Sequence, residues 1–510
     1  MNSSKKLLLI ALDAAEPSLV ERWIDEGELR NLAQLKKEGT YCRLNSSAEW
    51  LAGSPWPTFY TGTLPGEHGF YHYLQWRAEK MDYERPNPDW INATPFWRRL
   101  DERLKIIEVD IPLTFPAALS NGIIISNWAS HDRLYPPLSY PSDKIDWVVK
   151  NFGTPPISDE VGGLQSADDL LKLKDELINA VQLEAELVSS LLKDEEWNLF
   201  LCCFSATHRA GHKIWDTTNV KDDFSSEQKI KLNNCLKEIY KSCDDAVGKI
   251  IKNVSDDTTI FIISLHGFGE NTSLADIMLP KMLSSILTER AEKKNNGGGV
   301  LKKIRNSIPL EWRSSVRKLL PVWLQDKMTA YWRMSGTDWS KTKAFPLLAD
   351  LQGYIRINLK GRERDGIVEP ENYDELCDMI ISGLNSFFDE STNESVIESA
   401  KRKDEIFEKG KGFDNLPDIV VKWKFKPTSS YKRISSKKFG TFEFESPGKN
   451  LDGRSGNHRP QGFLIAKGSG FNKNSEIPAK HIIDLAPTIL DYFKINKLPQ
   501  MKGNKIKSMD

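Results

Sequence analysis

The chain has 510 residues, enough for roughly two to four domain-sized units or one large α/β domain carrying insertions. Its 70 basic and 71 acidic residues leave a formal net charge of -1, so no global field points to a nucleic-acid partner, and a mean hydropathy of -0.46 fits a soluble globular protein. No run of about 18 uninterrupted apolar residues occurs, which predicts no membrane span, and six cysteines without framework spacing fit reduced thiols and a cytoplasmic location.

The apolar stretch Leu7–Leu12 reads as a buried first strand, too short for a signal segment, with Asp13 at its carboxyl end. Pro17–Gly39 follows with apolar residues at helical spacing. In Ala52-Gly-Ser-Pro-Trp-Pro-Thr-Phe-Tyr-Thr-Gly62, followed by Pro65-Gly-Glu-His68-Gly69, the Ser54-Pro55 step marks a helix start that can aim backbone N–H groups at an anion. Lys105–Val109 and Gly122–Ser126 read as strands, then Ser166–Leu192 as a helix, Asn198–Phe204 as a strand, Ser226–Val254 as a helix and Thr258–Ser264 as a strand. Strands alternating with helices predict an α/β fold, a central mostly parallel sheet flanked by helices.

Composition shifts near residue 276, where a basic, Trp-rich stretch begins, centred on Lys293-Lys294-Asn-Asn-Gly-Gly-Gly299. The expected organisation is a first core part over 1–275, a basic helical insertion over 276–345 that reads as a lid, a partner-binding hairpin, an anionic-substrate clamp or simply a solvated amphipathic insertion, and a second core part over 346–510. Strand-like segments resume at Gly353–Leu359, Asp418–Trp423 and Gly462–Ala466, and Ile482–Tyr492 closes as a helix with an early proline in its first turn.

Chemistry concentrates at the strand ends. His208 and His212 stand at i and i+4, on one helix face about 6 Å apart, and can close on one metal ion. Asp13 suits a ligand, a general base or a helix cap. Ser264-Leu-His266-Gly-Phe-Gly269 ends a strand with a histidine beside two glycines, and Ser455-Gly-Asn-His458-Arg-Pro-Gln-Gly462 offers another histidine before a strand. Asn127 reads either as a donor to a substrate oxyanion or as a turn residue, and His131 as a pocket border or a surface group. His68 and His72 are expected to fix their loop by hydrogen bonds, whereas Arg356, Arg362 and Arg459 are candidates for an anionic substrate.

In this order, strand–Asp13, the Trp-Pro-Thr-Phe-Tyr-Thr-Gly…Pro-Gly-Glu-His-Gly helix, His-x-x-x-His, Ser-x-His-Gly and Gly-Asn-His-Arg-Pro-x-Gly, the motifs resemble the alkaline phosphatase superfamily. The closest resemblance is to its type I phosphodiesterase/nucleotide pyrophosphatase branch, and it runs from residue 7 to about 492. The resemblance implies two metal ions, usually zinc, and a Thr or Ser nucleophile at a helix start. Carried onto this sequence, one ion falls to His208, His212 and His458, with His208 where the family has aspartate. The other falls to Asp13, the nucleophile, Leu265 and His266, and leucine cannot ligate a metal.

Ungapped alignment puts Ala52 at the nucleophile position, leaving Ser54 as the substitute if the loop is shifted. Exchanging a carboxylate ligand for neutral imidazole makes the ion's environment one unit more positive, and three histidines with one open position bring a bound water to a pKa of about 7. The expectation is therefore a hydrolase or transferase acting on a small anionic phosphate or sulfate ester, most readily a phosphodiester. One Zn2+ is expected ahead of two, with Mn2+ or another divalent ion as the alternative. Asp13, Ser54 and His266 are the catalytic candidates, Asn127 and Arg459 the substrate-binding ones. The competing expectations are an inactive binding or scaffolding member of the fold and a rebuilt enzyme with different group-transfer chemistry.

Overall fold

The computed structural model describes residues 5–100, 104–114, 119, 121–130, 136–158, 160, 162–288, 322–334 and 336–507. Lys293 to Gly299, the centre of the basic stretch, and His131 lie outside the described residues. The main sheet uses β1 (Leu7–Leu12), β2 (Thr40–Asn45), β3 (Ile106–Val109), β4 (Gly122–Ser126), β5 (Leu138–Tyr140), β6 (Leu199–Phe204) and β7 (Thr259–Ser264). A two-stranded ribbon pairs β8 (Gly267–Glu270) with β9 (Gly456–Arg459), after which β10 (Gln461–Lys467) rejoins the main sheet. From β2 across to β5 the order is β2-β10-β7-β1-β6-β3-β4-β5. β1 runs parallel to both β6 and β7, and β3 parallel to β4 and β6, whereas β10 and β5 are antiparallel to their neighbours.

Helices on both faces explain why the central strands are apolar throughout. Along β1, Leu8, Ile10 and Leu12 face one core while Leu7, Leu9 and Ala11 face the other, the period of two that a pleated strand imposes. Burying each leucine or isoleucine there contributes about 1.5–3 kcal/mol. The first core lies under α1 (Pro17–Asp25), α2 (Arg30–Glu38) and two long helices; α3 (Pro55–Thr61) packs into the second. The long helices are α4 (Ala167–Asp194) and α6 (Ser226–Ile251), and each starts at a serine capping box, Ser166 with Asp169 and Ser225 with Gln228. The short helix α5 (Ala206–Ile214) lies between them and is buried along its whole length.

Two expectations change here. The single helix expected over Pro17–Gly39 is two, because Gly27 adopts φ 75°, a left-handed conformation that ends the first helix and redirects the chain. The chain between the main-sheet segments builds a second, four-stranded antiparallel sheet from Ala344–Pro346, Gly353–Ile357, Ile419–Trp423 and Ile397–Arg402. Helix Leu279–Thr288, at the start of the expected insertion, packs its apolar face into this second layer together with Tyr373–Asn385. Among the described residues no helix is long and apolar enough to cross a membrane.

Candidate metal centre

Three parallel strands deliver the site from their carboxyl ends, the edge where open α/β sheets place ligands. β1 releases Asp13, whose backbone N–H donates to the Phe204 carbonyl at 2.9 Å and so is held beside the end of β6. One residue after β6, α5 begins, and the Thr207 hydroxyl donates to the Asp13 carbonyl at 2.6 Å. That contact fixes the first turn of α5, so His208 and His212 look across the end of β1. β7 ends at Ser264, two residues before His266. The antiparallel register of the ribbon then sets Phe268 opposite His458, which brings the late histidine back to the early ones.

All five polar groups are buried. The His208 Nδ1 stands 2.7 Å from Asp13 Oδ2, and Trp56 Nε1 donates to Asp13 Oδ1 at 2.9 Å. The His212 Nδ1 lies 3.2 Å from the Gly456 carbonyl. A carbonyl and a carboxylate only accept, so each Nδ1 is the protonated nitrogen that faces its partner. The two Nε2 atoms face each other at 3.2 Å. Two nitrogen ligands at about 2.05 Å on one tetrahedral ion stand about 3.3 Å apart, which is the separation found. His458 joins them, its ring 4.9 Å from that of His208 and 5.0 Å from that of His212.

Ligand atoms of His208, His212 and His458 all lie within 4.8 Å of one another, as do those of Asp13, His208 and His266. Leu265, by contrast, sits in the apolar core. Both ring nitrogens of His266 and Nδ1 of His458 are buried with no hydrogen-bond partner among the described residues. Burial lowers the His266 pKa to about 4, and burial together with neighbouring cationic groups holds His212 and His458 well below the ordinary imidazole value. Burial opposes ionisation of Asp13, but His208 beside it wins and holds the carboxyl below its usual range. Neutral imidazoles at His212, His266 and His458 near an ionised Asp13 are protonation states that metal binding requires, so the residues present fit a divalent ion.

The neighbourhood of the cluster is closed by Phe268, whose ring lies 4.8 Å from that of His212 and 4.9 Å from that of His458. Gly211 makes room for it, since a Cβ there would stand 2.6 Å from the Phe268 ring. Behind α5, Glu160 pairs with Lys213 at 3.1 Å and with Arg454 at 3.2 Å, and Arg454 also reaches Asp350 at 3.2 Å. Trp56, Phe268 and this ion network escaped the sequence reading. Trp56 lay inside a quoted motif, but nothing in the motif says that its indole reaches Asp13.

Other expected site residues are differently engaged. Ser54 is fully buried at the start of α3, and its Oγ lies 2.7 Å from both the Leu51 carbonyl and the Ser47 hydroxyl. The hydroxyl chain continues from Ser47 to Thr58 and on to His68, which with His72 does hold its loop through hydrogen bonds. The Ala52 amide lies 3.3 Å from both Gln352 Oε1 and the Tyr354 hydroxyl. Asn127 has φ 62° and occupies a turn, whose next two amides donate to Asp110 at 2.8 and 2.6 Å.

Arg459 stacks 4.6 Å over Phe425 and donates to the carbonyls of Glu270 and His458, a clasp on the ribbon. Arg356 and Arg362 are tied into the second layer by Glu363, at 2.8 Å each, and by Asp418, 2.6 Å from Arg362. Their guanidinium groups brace that layer, so the reading of either as an anion binder is withdrawn.

The family described as type I phosphodiesterase / nucleotide pyrophosphatase matches residues 7–440, a span that includes Asp13, the His208–His212 pair and His266 and stops before His458. Among solved structures, the chain is similar to murine ectonucleotide pyrophosphatase/phosphodiesterase 5, an inactive variant in complex with AMP. Identity is 12%, the alignment covers 99% of this chain and 98% of that one, and the TM-score is 0.48. The human form of the same protein gives 12% identity, coverage of 98% and 97%, and a TM-score of 0.47. No curated protein matches the chain.

Proposed function

The chain belongs to the type I phosphodiesterase/nucleotide pyrophosphatase family, and from that premise we propose that it is a metal-dependent hydrolase or transferase of phosphate esters, acting on a phosphodiester. The observation that carries this reading is the convergence of His208, His212 and His458, whose ligand atoms lie within 4.8 Å of one another, with the two Nε2 atoms of the α5 pair 3.2 Å apart. Among the described residues, the unpartnered buried imidazole nitrogens are on the neighbouring histidines, both ring nitrogens of His266 and Nδ1 of His458, and a site that had drifted into a packing role would have lost such atoms, because a buried unsatisfied polar atom costs about 1–3 kcal/mol. Zinc is the first choice of ion, since imidazole nitrogens and tetrahedral spacing suit it, with manganese as the alternative.

A divalent ion held by His208, His212 and His458 would supply polarisation of a phosphoryl oxygen and acidification of water. The chain's own groups do the rest. His266, neutral at pH 7 and beside the His458 ring at 4.8 Å, is the group assigned to accept a proton during attack. Phe268 excludes water from one side of the imidazoles. Ser54 enters this reading as a structural group, because its hydroxyl is taken up inside the protein. Six unpaired, buried cysteines support a reducing compartment and hence the cytoplasm.

A second reading, an inactive binding member of the fold, is favoured by one observation: the amide of Ala52, the residue that the resemblance sets at the nucleophile position, is covered by Gln352 and Tyr354. The experiment is a panel of aryl phosphomonoesters, phosphodiesters, sulfate esters and dinucleotides, assayed with zinc, manganese and after chelation. Metal-dependent turnover of a phosphodiester, lost in His212→Ala, supports the enzyme. Ligand binding without turnover on any member of the panel supports the second reading.

A further inference from the structure

Two candidate ligand groups share His208: one with His212 and His458, the other with Asp13 and His266. A neutral imidazole has one lone pair, so it serves one ion. The hydrogen-bond partners decide which. His208 Nδ1 faces Asp13 Oδ2 at 2.7 Å and is the protonated nitrogen, so the lone pair on Nε2 points to His212 and His458. Asp13 is spoken for at both ends, since its other oxygen accepts from Trp56 Nε1 at 2.9 Å. With Oδ2 directed at His208 Nδ1 and Oδ1 at the Trp56 indole, both oxygens of the carboxylate are already engaged in orienting neighbours.

Leu265, which the resemblance sets where a further carboxylate ligand would stand, is packed in the apolar core. We infer that the centre holds a single ion and that Asp13 is a positioning residue, the outer carboxylate of an Asp13–His208–metal relay. It fixes the tautomer and ring angle of His208 rather than ligating a second metal. This rests on the metal reading given under the proposed function. Trp56 is the brace of the relay: it holds the carboxylate plane so that Oδ2 stays aimed at Nδ1. An imidazole at position 208 suits the relay, because it can donate to a carboxylate from one ring nitrogen and present the other to a metal.

The test is made on the full chain, loaded with zinc, dialysed and compared with Asp13→Asn, Asp13→Ala and His212→Ala. Ions per chain are read by elemental analysis and affinity by competition with a chromophoric chelator. The expected result is one ion in the wild type and one in Asp13→Asn, with affinity lowered about 10- to 100-fold. Asp13→Ala should bind more weakly still, and His212→Ala should retain none.

Two ions in the wild type falling to one in Asp13→Asn would make Asp13 a ligand, overturning this inference and leaving the metal reading intact. Unchanged affinity in Asp13→Asn also overturns it. No ion in the folded wild type overturns the metal reading itself. Should Asp13→Asn fail to fold, Trp56→Phe removes the other hydrogen bond and keeps a ring in place; a several-fold loss of affinity at unchanged stoichiometry supports the relay, and unchanged affinity overturns it.

Discussion

Replacing His458 by leucine should stabilise the metal-free protein and cripple the metal-loaded one. His458 is 4% exposed, and its Nδ1 is buried without a hydrogen-bond partner among the described residues. Removing that atom relieves about 1–3 kcal/mol, and an isobutyl group of similar bulk keeps most of the packing against Phe268. Unfolding entropy of about 2.1 cal/mol/K per residue over 510 residues converts each kcal/mol into about 1 °C, so the apo variant should melt about 1–3 °C above apo wild type. Zinc reverses the order. At free zinc 1,000 times Kd the wild type gains about 4.1 kcal/mol, and the variant, missing one of three ligands, gains far less. Scanning calorimetry of both proteins, with chelator and then with zinc, reads the two shifts. An apo variant that melts below apo wild type would refute the reasoning, because the nitrogen would then be satisfied by the protein and not kept for an ion.

Three further outcomes follow from the geometry. Gly211→Ala forces a methyl to within 2.6 Å of the Phe268 ring and should cost about 1–3 kcal/mol of stability and weaken zinc binding, checked by melting and chelator competition. In the apo protein, burial holds His212, His266 and His458 neutral, His266 down to about 4, while the unfolded chain titrates near about 6.5. Their contribution is therefore fully present above pH 6.5. As pH falls from about 6.5 toward 4, the unfolded state alone takes up protons, and each histidine removes up to about 1.4 kcal/mol per pH unit, visible in denaturant midpoints across that range. Arg356→Met leaves Glu363 with Arg362 as its guanidinium partner but takes a donor from two backbone carbonyls, and should destabilise by about 1–3 kcal/mol while turnover per folded molecule is unchanged.

Much of the architecture is readable in the chain because burial on both faces writes it there. The expected strands Leu7–Leu12 and Gly122–Ser126 coincide with the observed ones, and Lys105–Val109, Asn198–Phe204 and Thr258–Ser264 each differ by one residue at the start. The helices α4 and α6 announce themselves by serine caps as well as apolar spacing. Gly27 was the readable signal that Pro17–Gly39 breaks, since its left-handed φ is what glycine permits at low cost.

The site is legible only as a set of ligand types. That His458 meets His266 depends on the β8–β9 ribbon, whose four-residue strands carry no apolar alternation and pair across nearly 200 residues of sequence. That Asp13 accepts from both His208 and Trp56 depends on side-chain angles at three separate strand and helix ends. Arg356 and Arg459 looked like anion binders because sequence reports a charge and not its partner. Ser54 looked like a nucleophile for the same reason, its hydroxyl partners being invisible until the loop from Ser46 to Pro55 is folded.

The central claim is that histidines from α5 and the β8–β9 ribbon hold a divalent ion. X-ray absorption at the zinc edge on the loaded, dialysed chain tests it most directly. The account predicts stoichiometric zinc with the outer-ring scattering of imidazole from His208, His212 and His458, sharply reduced in His212→Ala. Zinc that dialyses away, or a coordination shell of oxygen alone, would contradict it.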